Sequence, residues 1–455
     1  MSTLLELGPS VSGAVGAVAS HGRREMQAAA LPAGDVPPAL LTMASYNGTL
    51  AAVRTLGRVG IPVTTADRSA LATGGWSRFA SSRVQCPDVR DSGRFIEWLL
   101  DFGRRRDKHV LLPTSDDTAW LYSLHREELT RHFHLASPSV DVIYRLLNKV
   151  TLYEEAVASG LAVPRAWFPE RVDDLDVCRR EARFPVVIKP RTQVLFRTQS
   201  KGYYVEHPDD LPERYASFAQ QRHADGLLKL DPAAALPIVQ EFHREAARGI
   251  YCISGYAHEG QLYGLQGARK VLQQPRRLGI GLCFEEAAVV PALAAGLATL
   301  VARTDFSGVF EAEFIETRHG AVLIDFNPRF YNQMAFDIAR GVPLPLLAYY
   351  AALGDRERLA LFCEASSIPA QPHGRVFVDL LSLRLLLGAQ GLSGALSREE
   401  KKHWTDWYET NRSRCTYAVA DSEDRLPAWF AGVQLLLRYA RHPRNFVRYI
   451  VLNRK

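Results

Sequence analysis

Four residues near the centre of the 455-residue chain could hold a cation and a phosphate group together: Glu313, Asp325, Asn327 and Arg329. They lie in the stretch G-V-F-E-A-E-F-I-E-T-R-H-G-A-V-L-I-D-F-N-P-R, residues 308–329. Val309, Glu311, Glu313 and Ile315 alternate with Phe310, Ala312, Phe314 and Glu316, which predicts a strand. A tight turn at Arg318-His319-Gly320 leads into a second strand, apolar until Asp325 and broken at Asn327-Pro328. Antiparallel neighbours are about 5 Å apart, so Glu313 and Asp325 can share one cation. Side-chain oxygens of this kind suit Mg²⁺, which takes one or two carboxylates plus substrate phosphates; Mn²⁺ is the alternative hard cation. The Arg329 guanidinium adds a bidentate grip on phosphate. Adjacent carboxylates are costly to bury unless a cation neutralises them, which sets this pattern apart from solvated strand ends.

Two lysines could meet phosphates from elsewhere in the chain. Lys189 closes the apolar strand F-P-V-V-I-K-P, residues 184–190, and an ammonium there needs an anion. Lys149 opens a helix after Asn148. Taken singly, each reads as a surface charge. The segment 191–202 carries Arg191, Arg197 and Lys201; it reads either as a lid over phosphates or as an ordinary exposed hairpin. It is not a P-loop, because G-x-x-x-x-G-K-[ST] is missing. Residues 237–242 form a strand ending in Gln240-Glu241-Phe242. Segments 251–257 and 262–268 form a hairpin around His258-Glu259-Gly260, after which Arg269 and Lys270 open a loop over 273–281. A helix is expected over 285–303. No Ser–His or Cys–His nucleophile pair is evident.

The elements that must position these residues begin at Pro37. Residues 1–36 are rich in Ala, Gly and Ser, lack a basic stretch before an apolar one, and read as a mobile tail. From there strand and helix alternate: strands at 39–43, 61–64 and 109–112, helices at 49–59, 95–105 and 116–129. This predicts a parallel sheet covered on both faces. A dinucleotide-binding domain is the alternative, weakened by a first turn without G-x-G-x-x-G. Pro113-Thr114-Ser115-Asp116-Asp117 follows a strand and opens a helix, the place where ligands bind in such sheets. Ser115 or Asp116 can equally be a helix cap.

Composition narrows the class. An apolar fraction of 47% and a charged fraction of 23% are those of a globular protein, and the length allows two to three domains. A net charge of +6 is too small to suggest nucleic acid. The six cysteines form no C-x-x-C pair, which argues against a zinc site and fits a reducing, cytoplasmic setting. No apolar run reaches the roughly 18 residues of a membrane span. Residues 425–455 hold seven Lys or Arg and no acid, so of the net charge of +6 the rest of the chain carries about −1. With Trp429, Phe430, Leu435 to Leu437, Phe446 and Ile450 interleaved, this segment could lie on a membrane surface; packing on its own domains is the favoured expectation.

The ordered set N-K helix, V-I-K-P strand, Q-E-F, A-R-K, E-F and D-F-N-P-R spans about residues 37–354. It resembles the ATP-grasp superfamily, whose metal-binding pattern is E-F followed by E-x-N-x-R. Within it the chain is similar to carboxylate–amine ligases related to D-aspartate ligase and the carbamoyl-phosphate synthase large chain. Asp325 departs from the usual Glu and is one methylene shorter, which leaves open whether it bridges one or two metals. The resemblance implies four regions: a tail (1–36), an N-terminal α/β domain (37–147), an ATP-grasp domain of two α+β subdomains clasping ATP (148–355), and a basic and aromatic C-terminal extension (356–455). It further implies that Lys149, Lys189 and Lys201 bind ATP phosphates and that Gln240, Glu241 and Phe242 hold adenine, largely through backbone. Glu313, Asp325 and Asn327 would hold Mg²⁺. Arg329 would steady the transferred phosphoryl group, and Arg269 and Lys270 would face the carboxylate or acyl phosphate. The implied reaction joins a small-molecule carboxylate to an amine through an acyl phosphate. Carboxylation, carbamoyl chemistry or a non-catalytic nucleotide-binding module are the alternatives, and a homodimer is compatible with each.

Overall fold

Continuous apolar runs build the first sheet. Ala39–Leu41 (β1), Val63–Asp67 (β2), Ser82–Gln85 (β3), His109–Leu112 (β4) and Phe133–His134 (β5) pair in parallel in the order β3-β2-β1-β4-β5. β1 and β4 are buried along their whole length, as strands covered on both faces must be. Ala39 and Leu41 pack with the helices Asn47–Arg58 and Leu344–Leu353, while Leu40 packs with Ser92–Arg104 and Asp116–Leu124. The structure, a computed structural model, describes residues 36–451 apart from 172, 197–201, 221–222, 224, 277–278 and 367–373. The expected tail therefore lies outside the described residues save its last position, and so do Arg197 and Lys201.

A second, antiparallel sheet follows: Ala166–Trp167 (β6), Val186–Lys189 (β7), Tyr203–Val205 (β8) and Ile238–Glu241 (β9), in the order β6-β9-β7-β8. Val186, Ile188 and Val239 pack against Leu211 and Phe218 of one helix and Leu175 and Cys178 of another. This directs the opposite side of β7 and β9 towards the rest of the protein. Gly202 is needed where it stands, since a Cβ there would meet the Ile188 carbonyl oxygen at 2.6 Å.

The third sheet has seven strands. Ile250–His258 (β10), Gln261–Gln274 (β11), Ile280–Ala287 (β12), Gly308–Thr317 (β13), Gly320–Asn327 (β14), Val376–Val378 (β15) and Cys415–Tyr417 (β16) lie in the order β14-β13-β10-β11-β12-β15-β16. Two expectations change here. Arg269 and Lys270 sit inside β11, which continues to Gln274, so no loop opens at Lys270. Residues 280–287 are a strand, and the helix begins only at Pro291 and ends at Thr304. Pro at the first helical position explains the late start. The expected helix over 116–129 also divides, into Asp116–Leu124 and Arg126–Thr130.

The C-terminal hundred residues finish this third sheet. β15 pairs antiparallel with β12 and parallel with β16. The chain then returns to the first sheet. Arg54 pairs with Asp424 at 2.9 Å with both side chains buried, and Phe430 stacks on Trp76 at 3.8 Å between ring centroids. All six cysteines are free thiols.

Candidate active site

The hairpin of β13 and β14 sets the site. Its register places Glu313 opposite Asp325 and Glu311 opposite Asn327. Four oxygen-bearing side chains thus share neighbouring ladder positions, and two buried lysines reach them. Lys149, the first residue of the helix Lys149–Ala158, places Nζ 2.9 Å from Asp325 Oδ1 and 3.2 Å from the Ile324 carbonyl oxygen. Lys270 on β11 reaches Glu313 Oε1 at 3.0 Å. Burial works against both ammonium charges, but Asp325 and Glu313 outweigh it and raise both lysine pKa values. Asn148 caps the Lys149 helix through Oδ1, which accepts from the Val150 amide at 3.0 Å. The N-K pair is therefore a cap followed by a buried cation held against Asp325.

The contacts run onward into the second sheet. Tyr153, one turn along the helix from Lys149, donates to Gln240 Oε1 at 3.0 Å, and Lys189 Nζ donates to the same oxygen at 3.3 Å. Lys189, Gln240, Tyr153, Lys149, Asp325, Glu313 and Lys270 thus lie along one path from the small sheet to the large one. Glu241 and Phe242 flank it. The Glu241 amide donates to the Arg165 carbonyl at 3.0 Å and the Phe242 amide to that of Pro185 at 3.1 Å; the Glu241 carboxylate accepts from the Arg183 amide at 3.1 Å. Arg269 is not brought to this path. It alternates with Lys270 along β11, points the other way, and pairs with Glu316 at 2.6 Å on the surface.

Arg329 ties the hairpin to the first sheet. Its Nε donates to Asp116 Oδ1 at 2.8 Å, and another nitrogen donates to Asn327 Oδ1 at 2.7 Å. Burial opposes its charge, and Asp116 more than offsets the loss. Ser115 caps the helix Asp116–Leu124, accepting from the Thr118 amide at 3.1 Å. Asp117 turns instead to the segment after β7, accepting from the Leu195 amide at 2.6 Å. The P-T-S-D-D segment thus supplies a cap, an arginine partner and an anchor for the segment that follows β7. Burial pushes the Asp117 carboxyl up to about 7.

Two site residues escaped the sequence reading. Glu311 is fully buried beside Glu313, where burial and that neighbour push its carboxyl up to about 7. It accepts from Asn327 Nδ2 at 3.0 Å and from the Gln333 amide nitrogen. That fixes the Asn327 amide with its oxygen towards Arg329. Its signal was present, since Glu311 shares a strand face with Glu313. Tyr153 had only its helical spacing from Lys149. A metal fits this donor set. Glu313, Asp325 and Asn327 offer hard oxygens at neighbouring ladder positions, and ligand atoms of Glu311, Glu313 and Cys252 lie within 4.8 Å of one another. Burial holds the Cys252 thiol protonated, so the oxygens alone are suited to Mg²⁺.

No protein-family model matches the sequence, and comparison with curated proteins finds no match. Solved structures do match. The biotin carboxylase domain of Hydrogenobacter thermophilus 2-oxoglutarate carboxylase, a dimer with MgADP, ADP and bicarbonate, aligns at TM-score 0.56 and 13% identity over 70% of each chain. An L-amino acid ligase from Bacillus licheniformis aligns at TM-score 0.52 and 13% identity over 70% of this chain and 75% of its own. Phosphoribosylglycinamide synthetase from Anaerococcus prevotii aligns at TM-score 0.52 and 10% identity over 75% and 80%. The chain has the fold these proteins share, the ATP-grasp fold: a parallel α/β sheet followed by two α+β units.

Proposed function

We propose that the protein is an ATP-dependent ligase that joins a carboxylate to an amine, releasing ADP and phosphate. The observation that carries this is the path of Lys189, Gln240, Lys149, Asp325, Glu313 and Lys270, which lines up cations and hard oxygens between the two antiparallel sheets. Fold likeness to an amino acid ligase and to phosphoribosylglycinamide synthetase supports the reading. Bound at Glu313, Asp325 and Asn327, Mg²⁺ or Mn²⁺ would neutralise phosphate charge.

A carboxylate is a poor acyl donor because amine attack would have to expel oxide. Transfer of the γ-phosphoryl group to a carboxylate oxygen, with ADP leaving, provides a good leaving group. The amine then forms the C–N bond, the C–O bond to phosphate breaks, and the amine gives up a proton. Such a transfer requires alignment and charge neutralisation more than covalent help. Lys149 and Lys189 are suited to bind phosphate oxygens, Gln240 with the Glu241-Phe242 backbone to flank the base, and Arg329 to steady the moving phosphoryl group. Lys270 beside Glu313 is placed to face the acyl phosphate. Arg269, turned away, would at most act at the rim.

ATP carrying ¹⁸O at the β,γ bridge tests this. Scrambling of the label with the correct acid alone, and hydroxamate formation with hydroxylamine, are expected from an acyl phosphate. Scrambling that needs bicarbonate and no organic acid would favour carboxylation, in keeping with the biotin carboxylase likeness. Neither signal across a broad acid panel, with ATP still bound, would reduce the protein to a nucleotide-binding module.

A further inference from the structure

Of the fourteen exposed large apolar side chains among the described residues, seven fall between Leu381 and Val447. Four belong to one helix, Leu426–Arg441: Leu426 is 55% exposed, Trp429 62%, Leu436 74% and Leu437 37%. Spaced at 3.6 residues per turn, these four and the half-buried Val433 fall within an arc of about 100°. The adjoining side of the helix is committed: Pro427 and Phe430 are buried there, and Gln434 donates to Ser45 Oγ at 3.3 Å. The helix thus has two apolar faces, one docked on the first sheet's domain and one open.

The charge around the open face identifies its occupant. Arg425, Arg438, Arg441 and Arg444 are exposed along and beyond the helix, and no acid occurs between residues 425 and 455. A second copy docked face to face about a two-fold axis would set these cations against their own copies. An anionic bilayer satisfies both features: the apolar arc enters the headgroup boundary, and Arg425 and Arg441 at its borders meet lipid phosphates. Trp429 sits at one end of the arc, and tryptophan favours that boundary. The helix has 16 residues and none among the described residues is long and apolar enough to cross a membrane, so we place it on the surface. The end of the helix Leu380–Ser393 adjoins this region, since Ser393 Oγ donates to the Val451 carbonyl at 2.9 Å, and it carries Leu392, 90% exposed.

We propose that the open face of Leu426–Arg441 binds the protein to anionic membrane surfaces. The test is co-sedimentation of the full-length protein with phosphatidylcholine vesicles, with and without phosphatidylglycerol, and with increasing salt. Binding should need the anionic lipid, fall with salt, and shift Trp429 emission to the blue. Trp429→Ser with Leu436→Ser should abolish it. Arg425→Glu with Arg441→Glu should weaken it by at least roughly thirtyfold. All four side chains are exposed, so unchanged melting temperatures should show that the variants fold. Absence of binding to phosphatidylglycerol vesicles, or binding indifferent to lipid charge, would overturn the proposal. So would concentration-dependent dimerisation that the serine variant abolishes, which would assign the face to a second copy.

Discussion

Lys149 and Lys270 each hold a buried ammonium against one member of a cross-strand carboxylate pair. Replacing Glu313 or Asn327 by Ala should therefore lower turnover by about 100-fold or more while the fold persists; ADP release measured on either purified variant at the wild-type rate would remove them from the machinery. Asp325→Glu should keep more activity than Asp325→Asn, because Asn leaves the Lys149 ammonium buried without a carboxylate; a Mg²⁺ titration gives the comparison. Asp117 gives a pH prediction. Its carboxyl is raised from an ordinary 3.8 to about 7 by burial, so the folded state binds the extra proton. The associated stability is complete below about pH 4 and is lost as pH rises through 7. Asp117→Asn keeps an acceptor for Leu195 and does not ionise. Its unfolding free energy relative to wild type, measured by denaturant titration, should rise between pH 5 and pH 8 by an amount on the order of 3 kcal/mol. A difference that does not change with pH would contradict the buried-carboxyl account.

At the scale of elements, close approach decides more than propensity. Gly48, near the start of the helix Asn47–Arg58, lies against the segment just after Arg329; a Cβ there would come within 2.4 Å of the Tyr331 carbonyl oxygen. Gly48→Ala should cost roughly 1–3 kcal/mol in denaturant unfolding. Gly93→Ala, in the helix Ser92–Arg104 with nothing within 4 Å, should cost nothing or stabilise; equal losses in the two would refute the contact. The hairpin that carries Glu313 and Asp325 was legible because its first strand alternates, its second is an apolar run ending at Asp325, and its turn is short. β12 was not legible. Its run of C-F-E-E-A-A passes into the helical composition of residues 291–304, and only pairing with β11 and β15 makes it a strand. The length of β11 was hidden likewise, since its two bulges near Leu272 break the two-residue period. For the helix Leu426–Arg441 the sequence shows only apolar residues interleaved with arginines, and docking on Trp76 and Ser45 decides which of them are covered.

For the whole molecule, the C-terminal region is bound to the first sheet through a buried charge network. Asp424 accepts from Arg54 Nε at 2.9 Å, from Ser77 Oγ at 2.7 Å and from the Arg78 amide at 2.9 Å. Asp424→Ala would leave the Arg54 charge buried and partly unmet, and should cost about 3–5 kcal/mol in equilibrium unfolding; a loss under 1 kcal/mol would show that this joint bears little. Order along the chain and order in space part company at this scale, which is why a division at residue 355 is natural to read in the sequence although β15 and β16 belong to the third sheet. That arrangement also sets a timetable for the protein's birth. The hairpin of β13 and β14 ends at Asn327, but the sheet that carries it is closed by β16 at Tyr417, ninety residues later. A ribosome adding about 5–20 residues per second takes roughly 5–20 s over that interval. Until β15 is made, about halfway through it, the outer edge of β12 has no partner strand and is open to other nascent chains. Products cut short before Val376 would keep that edge exposed, so the cell would meet prematurely terminated copies as sticky sheets rather than as idle enzyme.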